Sequence, residues 1–268
     1  MTTGTGGIWG RGEAYERYVG RWSRLVGREF LAWLDVPPGS RWLDAGCGTG
    51  ALSELILRLA GPSEVHGVDP AEGFIEHARA HVTDPRVHFS VGDARVLPFD
   101  AGSFDAVVGG LMLNFVPEPA IAVGEMARTT RPGGRVGVYV WDYAGGMQFM
   151  RRFWDAAAAL DPAARELDEG RKFDTVANPD GLRDLFTGAG LRDVEIRAIE
   201  IPTRFDDFDD YWTPFLGGMG PGPGYVATLD EDGRAALRER LRSTLPTDPD
   251  GSIPLTARAW ATRGRHDG

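Results

Sequence analysis

The stretch Arg41-Trp-Leu-Asp-Ala-Gly-Cys-Gly-Thr-Gly50 decides the fold of this chain. Its first half is a short, largely apolar run, as is typical of a strand buried on both faces. In its second half, Gly46, Gly48 and Gly50 leave one face of a turn without side chains, so that backbone can lie directly against a ligand. A helix predicted from Ala51 would point its N-terminal N–H groups at the same place. The stretch therefore predicts the floor of a ligand site between a strand and a helix.

Outward from this turn, strands and helices alternate along the chain. Strands are predicted at 41–45, 65–68, 87–91, 104–108 and 135–141, and helices at 51–59, 71–82 and 119–128, with a turn at 131–134. This spacing predicts a parallel sheet wound on both faces. Two helices are predicted before it, at 13–22 and 23–34. After residue 141 we expect helices at 147–160, 180–189 and 230–245, strands at 191–201 and 253–262, and a Gly/Pro-rich loop at 217–224.

Composition limits the classes of function. The 268 residues carry a formal net charge of −10, which disfavours binding to nucleic acid. No apolar run is long enough to span a bilayer and no secretory signal is visible, so we expect a cytoplasmic protein that does not bind membranes. The single cysteine, Cys47, excludes an intramolecular disulfide and fits a reducing compartment. We predict no metal site, and the sequence does not decide between a monomer and a homodimer.

Two ligands compete for the glycine turn. The pattern Gly46-x-Gly48-x-x-Ala51 formally fits the fingerprint of dinucleotide-binding proteins. Asp69 ends the second predicted strand, 23 residues after Gly46, where its carboxylate could accept hydrogen bonds from both hydroxyls of a ribose. It could equally serve as an N-cap for the next helix. Asp69 alone does not separate NAD from S-adenosylmethionine.

A second carboxylate favours S-adenosylmethionine. Asp93 follows the third predicted strand, where it could accept a hydrogen bond from the exocyclic amine of adenine, and the Ala94 N–H could donate to a ring nitrogen. The simpler interpretation is that Asp93 only caps a turn. The combination of Asp69, Asp93 and the glycine turn nevertheless favours the methyl donor over a dinucleotide.

Five motifs in order carry a resemblance to a known family: Leu43–Gly50, Gly67–Asp69, Gly92–Ala94, Phe104–Val108 and Arg131–Gly134. Together they resemble the class I S-adenosylmethionine-dependent methyltransferases over residues 40–142. The resemblance implies an α/β fold: a Rossmann-like, doubly wound, seven-stranded, mostly parallel sheet with an antiparallel last strand beside the fifth, and a helical cap. It also implies a single domain over 1–268, with an N-terminal lid at 1–35, a cofactor-binding core at 40–142 and an inserted cap over the acceptor site at 203–250.

The same resemblance assigns roles to individual residues. The methionine part of the cofactor would lie against Asp44 and the glycine turn, the ribose against Asp69, and the adenine against Asp93 and Ala94. The reactive sulfonium would lie near the end of the fourth strand. The cofactor-binding residues in the central region are thus Asp44, Gly46, Cys47, Gly48, Gly50, Asp69, Pro70, Asp93, Ala94, Gly110 and Leu111. Cys47 is expected to be a small apolar residue and not a nucleophile.

The N-terminal segment is a second candidate site. Tyr15, Arg21 and Trp22 are predicted to cover the cofactor, since aromatic rings attract a sulfonium and an arginine pairs with a carboxylate. Tyr18 is predicted to contact the acceptor. Packing of an amphipathic helix against the core is an alternative explanation for all of these aromatic residues.

An acceptor pocket and a catalytic group are harder to predict. Aromatic residues cluster in the insertion, and Tyr211, Trp212 and Phe215 are the predicted acceptor-binding residues. None of the five histidines follows the fourth or fifth strand, so no general base is evident. The weak catalytic candidates are Asp142, Tyr143 and Asn114.

We therefore predict methyl transfer from S-adenosylmethionine to the oxygen, carbon or nitrogen of a small molecule. Proximity can supply most of the rate when the acceptor is already nucleophilic. The alternatives are an NAD-dependent oxidoreductase, a protein that binds the cofactor without methyl transfer, and other chemistry with the cofactor retained.

Overall fold

In the computed structural model, which describes residues 20–173, 175–217 and 220–268, one seven-stranded sheet organises the chain. The strands are β1 (Arg41–Ala45), β2 (Glu64–Asp69), β3 (Val87–Val91), β4 (Phe104–Gly110), β5 (Thr130–Trp141), β6 (Arg192–Phe205) and β7 (Ile253–Arg265). Their order is β3-β2-β1-β4-β5-β7-β6. Strands β1 to β5 pair in parallel, and β7 is antiparallel to both β5 and β6. The predicted fold class is confirmed, including the antiparallel last strand beside β5.

Helices cover the sheet. They are α1 (Arg21–Leu34), α2 (Ala51–Leu59), α3 (Glu72–His81), α4 (Pro119–Thr129), α5 (Gln148–Leu160), α6 (Glu169–Lys172), α7 (Pro179–Gly188), α8 (Phe208–Trp212), α9 (Pro221–Thr228) and α10 (Glu231–Thr244). Among the described residues, 3-10 helices lie at Leu113–Phe115, Pro162–Leu167 and Thr213–Leu216. None of these helices is both long and apolar enough to cross a membrane.

The central strands are buried because helices lie on both faces of the sheet. Trp42, Leu43 and Ala45 of β1 are at most 1% exposed, and Ala106 to Val108 of β4 are fully buried. Because β1, β2 and β4 run in parallel, their carboxyl ends meet at one edge. That edge holds the glycine turn after β1, Asp69 at the end of β2 and Leu111 after β4.

Several element boundaries differ from the prediction. Residues 131–134, predicted as a turn, lie within β5 as an irregularity, where pairing with β4 passes from Thr130 to Arg135. The long antiparallel pairing of β6 with β7 extends both strands beyond their predicted ends. Helix α1 begins at Arg21 and runs without a break through the predicted boundary between Trp22 and Ser23. Residues 13–19 of the first predicted helix lie outside the described residues.

The structure also differs from the predicted Gly/Pro-rich loop at 217–224, because helix α9 begins at Pro221. Pro221 and Pro223 lie in the first turn of this helix, where backbone N–H groups have no intrahelical partner and proline costs little. Gly220, with φ 92°, is the N-cap of this helix and has a backbone conformation that favours glycine. Composition alone therefore indicated a loop where proline actually starts a helix.

A helical layer, defined as residues 148–172 and 208–244, packs beside the antiparallel end of the sheet. Its interior is aromatic: the rings of Phe153 and Phe215 stack at 4.2 Å between centroids, and the Tyr211 hydroxyl donates to the Phe149 carbonyl at 2.9 Å. This layer buries the largest side chains of the insertion predicted at 203–250.

Candidate functional site

A cavity of about 500 Å³ opens at the carboxyl edge of the parallel strands. Its volume falls within the range of small-molecule sites. Ten of the predicted cofactor-binding residues line it: Asp44, Gly46, Cys47, Gly48, Asp69, Pro70, Asp93, Ala94, Gly110 and Leu111. Gly50 does not, because its backbone lies beneath the turn against Phe89 and Ala78. The topology thus brings residues from four separate segments to one opening.

Asp44, the fourth residue of β1, is the most unusual group of the cavity. It is fully buried, and Ser53 of α2 donates to its Oδ2 at 2.7 Å. Its Oδ1 is buried with no hydrogen-bond partner among the described residues. Burial, together with the nearby charge of Asp69, raises the pKa of Asp44 to about 7. A buried carboxylate oxygen without a partner is costly, so this atom needs a donor from a ligand or a proton.

The glycine turn is shaped by close approach of the chain. Gly46 has φ 71°, and a Cβ at this position would lie 2.6 Å from the Cβ of Met112. Gly48, with φ 53°, has open space where a Cβ would project, and its N–H donates to Asp69 Oδ2 at 3.0 Å. Side chains at these two positions would therefore strain the backbone or enter the cavity.

Asp69 fixes the turn while facing the cavity. Besides Gly48, the Ala71 N–H donates to its Oδ1 at 2.9 Å, and the carboxylate lines the cavity. The N-cap of the following helix is Ala71, so Asp69 holds the backbone of two turns and is not the helix N-cap that the sequence allowed. Burial raises its pKa, and these two backbone hydrogen bonds oppose that shift. Each oxygen keeps a further lone pair for a ligand hydroxyl.

Cys47 lies between these two carboxyl groups. Its thiol is 7% exposed, and burial with the charges of Asp44 and Asp69 raises its pKa well above the ordinary value of 9.0. Because the thiolate is the reactive form, this environment opposes nucleophilic chemistry. Packing of a small apolar side chain is the role that these surroundings support.

Asp93 forms an ion pair with Arg95, a residue that the sequence motifs do not identify. Arg95 Nη2 donates to Asp93 Oδ2 at 2.7 Å, and Arg95 Nη1 donates to Glu118 Oε2 at 2.9 Å. The hydrogen bonds from Arg95 lower the pKa of Asp93. Arg95 thereby joins the turn after β3 to the start of α4, and it lines the cavity beside Asp93 and Ala94.

Other cavity residues were missed because packing, not motif order, brings them to the site. They are chiefly Ser23, Phe74, Arg95, Met112, Phe115 and Tyr139. Tyr139 gives no local signal, because a phenol beside Val138, Val140 and Trp141 in an apolar strand is also typical of a core residue. Ser23 comes from α1, whose packing above the β1 turn no local pattern specifies.

The N-terminal prediction differs from the structure. Arg21 and Trp22 do not line the cavity: the Arg21 guanidinium lies over the rings of Trp22 and Phe205, and Arg21 Nη1 donates to Asp210 Oδ1 at 2.9 Å. The carboxylate that Arg21 meets therefore belongs to α8. Tyr15 and Tyr18 lie outside the described residues.

The weak catalytic candidates do not line the cavity either. Asp142 is buried, and Arg258 Nε and Nη2 donate to its Oδ2 at 2.8 and 2.5 Å, so it links β5 to β7. Tyr143 is buried with its ring 5.2 Å from that of Phe173. Asn114 lies in the 3-10 helix after β4, and its amide nitrogen and oxygen are buried without a partner among the described residues.

The predicted acceptor-binding residues lie in the helical layer, away from the cavity. Tyr211, Trp212 and Phe215 are at most 4% exposed and pack against one another and against α5. Burial of a large aromatic area explains this position, which the prediction of an acceptor pocket did not anticipate. Within the described part of 203–250, no side chain lines the cavity.

Within residues 20–173, 175–217 and 220–268, no group of three or more His, Cys, Asp or Glu side chains could hold a metal ion. The titratable groups at the cavity are three carboxyl groups, a thiol, a phenol and one guanidinium.

Comparison with known proteins adds a second line of argument. Residues 43–138 match the model of a methyltransferase domain family. Over 189 residues the chain is 28% identical to 2-methyl-6-phytyl-1,4-hydroquinone methyltransferase of Synechocystis. The aligned region covers 69% of this chain and 57% of the relative. Over 105 residues it is 37% identical to demethylmenaquinone methyltransferase of Staphylococcus aureus, covering 38% of this chain and 44% of the relative. The chain thus spans about half the length of these curated relatives.

Solved structures share the fold at low identity. Phosphoethanolamine N-methyltransferase 2 of Haemonchus contortus, solved with S-adenosyl-L-methionine, superposes with a TM-score of 0.63 at 18% identity, covering 100% of this chain and 61% of that chain. The order of strands, the motifs at one edge of the sheet and the matched domain agree. Over residues 43–138 the chain is similar to a methyltransferase domain, and its strand order is the one expected from the resemblance to the class I S-adenosylmethionine-dependent methyltransferases.

Proposed function

We propose that this protein binds S-adenosylmethionine in the cavity and transfers a methyl group to a small-molecule acceptor. The observation that carries the proposal is the charge around the cavity. Its described lining has three carboxyl groups, on Asp44, Asp69 and Asp93, against the single guanidinium of Arg95. S-adenosylmethionine carries a sulfonium, an ammonium and one carboxylate, so its net charge is positive, whereas NAD carries a negatively charged pyrophosphate. A predominantly acidic site favours the cation.

Individual residues fit the parts of this cofactor. The unpartnered Oδ1 of Asp44 suits an ammonium donor, because it is buried and its carboxyl group is half ionised near neutral pH. Asp69 has lone pairs for the ribose hydroxyls. Asp93 already accepts from Arg95, but a carboxylate offers about four acceptor positions, which leaves room for the adenine amine.

When bound, the cofactor supplies an activated methyl group, so the protein has little covalent chemistry to do. The residues of the chain hold the reactants together and exclude water, which can provide most of the acceleration. Leu111 and Met112, both under 10% exposed, would exclude water at the end of β4. The absence of a histidine or lysine among the described lining residues favours an acceptor that is already nucleophilic.

The two curated relatives support an oxygen-bearing ring compound as acceptor, since both are named as quinone or hydroquinone methyltransferases. A cytoplasmic location is part of the proposal. It is supported by the single buried cysteine, which fits a reducing compartment. We also propose that nucleic acid is not a partner, because the chain has a net charge of −10.

Isothermal titration of the purified chain tests the cofactor assignment. We expect binding of S-adenosylmethionine and of its demethylated product, and no heat with NAD or NADH. Binding of NAD with no response to either sulfur compound would overturn the proposal in favour of an oxidoreductase. Cofactor binding without methyl transfer to any member of a broad acceptor panel would instead favour a binding protein that does not catalyse transfer.

A further inference from the structure

The cavity has two chemically different ends. One end, at β2 and β3, carries Asp69, Asp93 and Arg95. The other, at the ends of β4 and β5, is lined by Leu111, Met112, Phe115 and Tyr139, with Ser23 from α1. Among the lining residues that the structure describes, this second end has no charged side chain. Its only polar side-chain atoms are the hydroxyl oxygens of Tyr139 and Ser23.

The position of Tyr139 depends on two glycines. Tyr139 pairs with Gly110 across β4 and β5, and a Cβ at Gly110 would lie 2.6 Å from the Tyr139 Oη. A Cβ at Gly27 of α1 would lie 3.4 Å from the same oxygen. Both neighbours thus lack a side chain where the phenol passes. Because Ser23 and Gly27 are four residues apart on one helix, Ser23 lies one turn above the contact with Tyr139.

The backbone at this end is strained. Leu111 has φ 58°, a left-handed conformation that is unfavourable for a bulky L-residue. Its N–H donates to the Tyr139 carbonyl at 2.8 Å, and its side chain is 6% exposed at the cavity wall. Glycine or asparagine would adopt this conformation more easily, whereas leucine places an apolar side chain at the cavity wall.

Phe115 completes the wall. Its ring lies 5.3 Å from that of Phe173, whose ring lies 5.2 Å from that of Tyr143. Three aromatic rings in contact therefore pack next to the end of the cavity nearest to β5. The carboxyl group of Asp44 is on β1, two strands from β5 and on the order of 10 Å away along the sheet.

We infer that this end of the cavity binds an uncharged, apolar acceptor about the size of one aromatic ring, with a hydroxyl or carbonyl oxygen. The Tyr139 hydroxyl contacts that oxygen. The inference rests on the proposed function and names the acceptor class and a residue that contacts it. A charged ammonium, carboxylate or phosphate would lose its hydration at this end without finding an opposite charge among the described residues. A phenol both donates and accepts hydrogen bonds, so it suits either a hydroxyl or a carbonyl group.

Three phenols of similar size and different charge test the acceptor class. The full chain, saturated with the demethylated cofactor product, is titrated with p-cresol (neutral), tyramine (cationic) and 4-hydroxyphenylacetate (anionic). We expect p-cresol to bind at least about tenfold more tightly than either charged compound, because an unpaired charge is costly in an apolar site. Equal or tighter binding of a charged phenol, or no binding of p-cresol, would overturn the inference.

A second set of titrations tests Tyr139 itself. Comparing p-cresol with toluene, in the wild type and in Tyr139→Phe, isolates the contact between the two hydroxyl groups. We expect the wild type to prefer p-cresol by about three- to tenfold and Tyr139→Phe to lose that preference. Tyr225→Phe removes a phenol from α9, outside the cavity, and should keep the preference. An unchanged preference in Tyr139→Phe would overturn the assigned contact.

Binding of the demethylated product to each protein separates the two proposals. If the wild type does not bind it, the proposed function fails and the acceptor inference fails with it. If the wild type binds it but the phenols do not follow the expected order, only the acceptor inference is overturned. Weaker binding of the product to Tyr139→Phe, with the p-cresol preference retained, would place the hydroxyl at the cofactor and likewise contradict the inference.

Discussion

Asp44 and Glu169 are buried carboxyl groups in two different regions, and burial raises the pKa of each to about 7. Asp44 lies at the carboxyl edge of the sheet, where Oδ1 has no partner and a cavity stands above it. Glu169 lies in the helical layer, where it accepts a hydrogen bond from the Trp154 indole N–H and lines no described part of the cavity. The same pKa therefore has two different explanations.

The comparison extends from these two groups to their regions. In the helical layer, Arg151 pairs with Asp168 through two contacts of 2.6 Å, and aromatic rings pack closely. Its polar groups largely satisfy one another. At the edge of the sheet, an acid is left incompletely paired beside an open volume. A perturbed pKa indicates a ligand site when it coincides with an unsatisfied atom and a cavity, and otherwise indicates packing.

The largest expected effect concerns the helical layer and should appear only in stability. Phe215 is 1% exposed and stacked on Phe153, so Phe215→Ala should lower the free energy of unfolding by about 3–5 kcal/mol. Chemical denaturation measures this change. Phe215→Leu, which keeps most of the volume, should cost less than about 1.5 kcal/mol. A folded Phe215→Ala protein with unchanged stability would contradict the packing role.

Asp44→Asn should show the opposite pattern. Losing the charge of a buried group that faces a cationic ligand should weaken S-adenosylmethionine binding by about 2–4 kcal/mol, measured by isothermal titration. The matched control is Glu169→Gln, which removes a buried acid of similar pKa outside the cavity and should leave the dissociation constant unchanged. Equal losses in both variants would show that the effect is structural.

The same substitution should stabilise the protein without ligand. The pKa of Asp44 is about 7 in the folded chain against an ordinary value of 3.8, so the folded state holds an extra proton between these values. The contribution of Asp44 to stability therefore falls as pH rises from about 4 to 7. Above that range Asp44→Asn should raise the free energy of unfolding by on the order of 1–3 kcal/mol, with a smaller gain at pH 5. A loss of stability at pH 8 would contradict this sign.

Asp69→Ala is expected to have the next largest effect on binding. Removing a carboxylate that accepts from a ribose should weaken cofactor binding by on the order of 1.5–3 kcal/mol. Asp69→Asn keeps one acceptor oxygen for the Gly48 or Ala71 N–H and should lose less. Titration with S-adenosylmethionine measures both variants, and an unchanged dissociation constant in Asp69→Ala would contradict the ribose assignment.

The two regions also differ in how far the sequence predicts them. The cofactor edge was predictable because short apolar runs identify buried parallel strands, and parallel strands place the residues that follow them side by side. Asp44, Asp69 and Asp93 therefore reached one cavity as expected. The proline and glycines of residues 131–134 predict a turn, but the structure places this segment within β5.

The remainder depends on long-range packing, which local patterns do not record. Arg21 was expected at a cofactor carboxylate, but its partner is Asp210, 189 residues along the chain. An aromatic pocket and an aromatic core have the same composition, so the sequence does not separate them. The burial of Tyr211, Trp212 and Phe215 shows that these residues belong to the core. Tyr139 was missed for the converse reason, since a phenol within an apolar strand is indistinguishable from core until Gly110 and Gly27 are seen beside it.

The smallest expected effect is the pH dependence of cofactor binding. A cationic ligand stabilises the ionised form of Asp44, so affinity for S-adenosylmethionine should fall as pH decreases through about 7, the pKa of this group. The expected loss is about tenfold between pH 8 and pH 6 for a single group of this pKa. The raised pKa of Asp69 acts in the same direction at lower pH. Asp44→Asn should largely remove the dependence, whereas Glu169→Gln should retain it. If Asp44→Asn retained the pH dependence, the titrating proton would belong to another group. Asp44 would then differ from Glu169 only in its place in the fold.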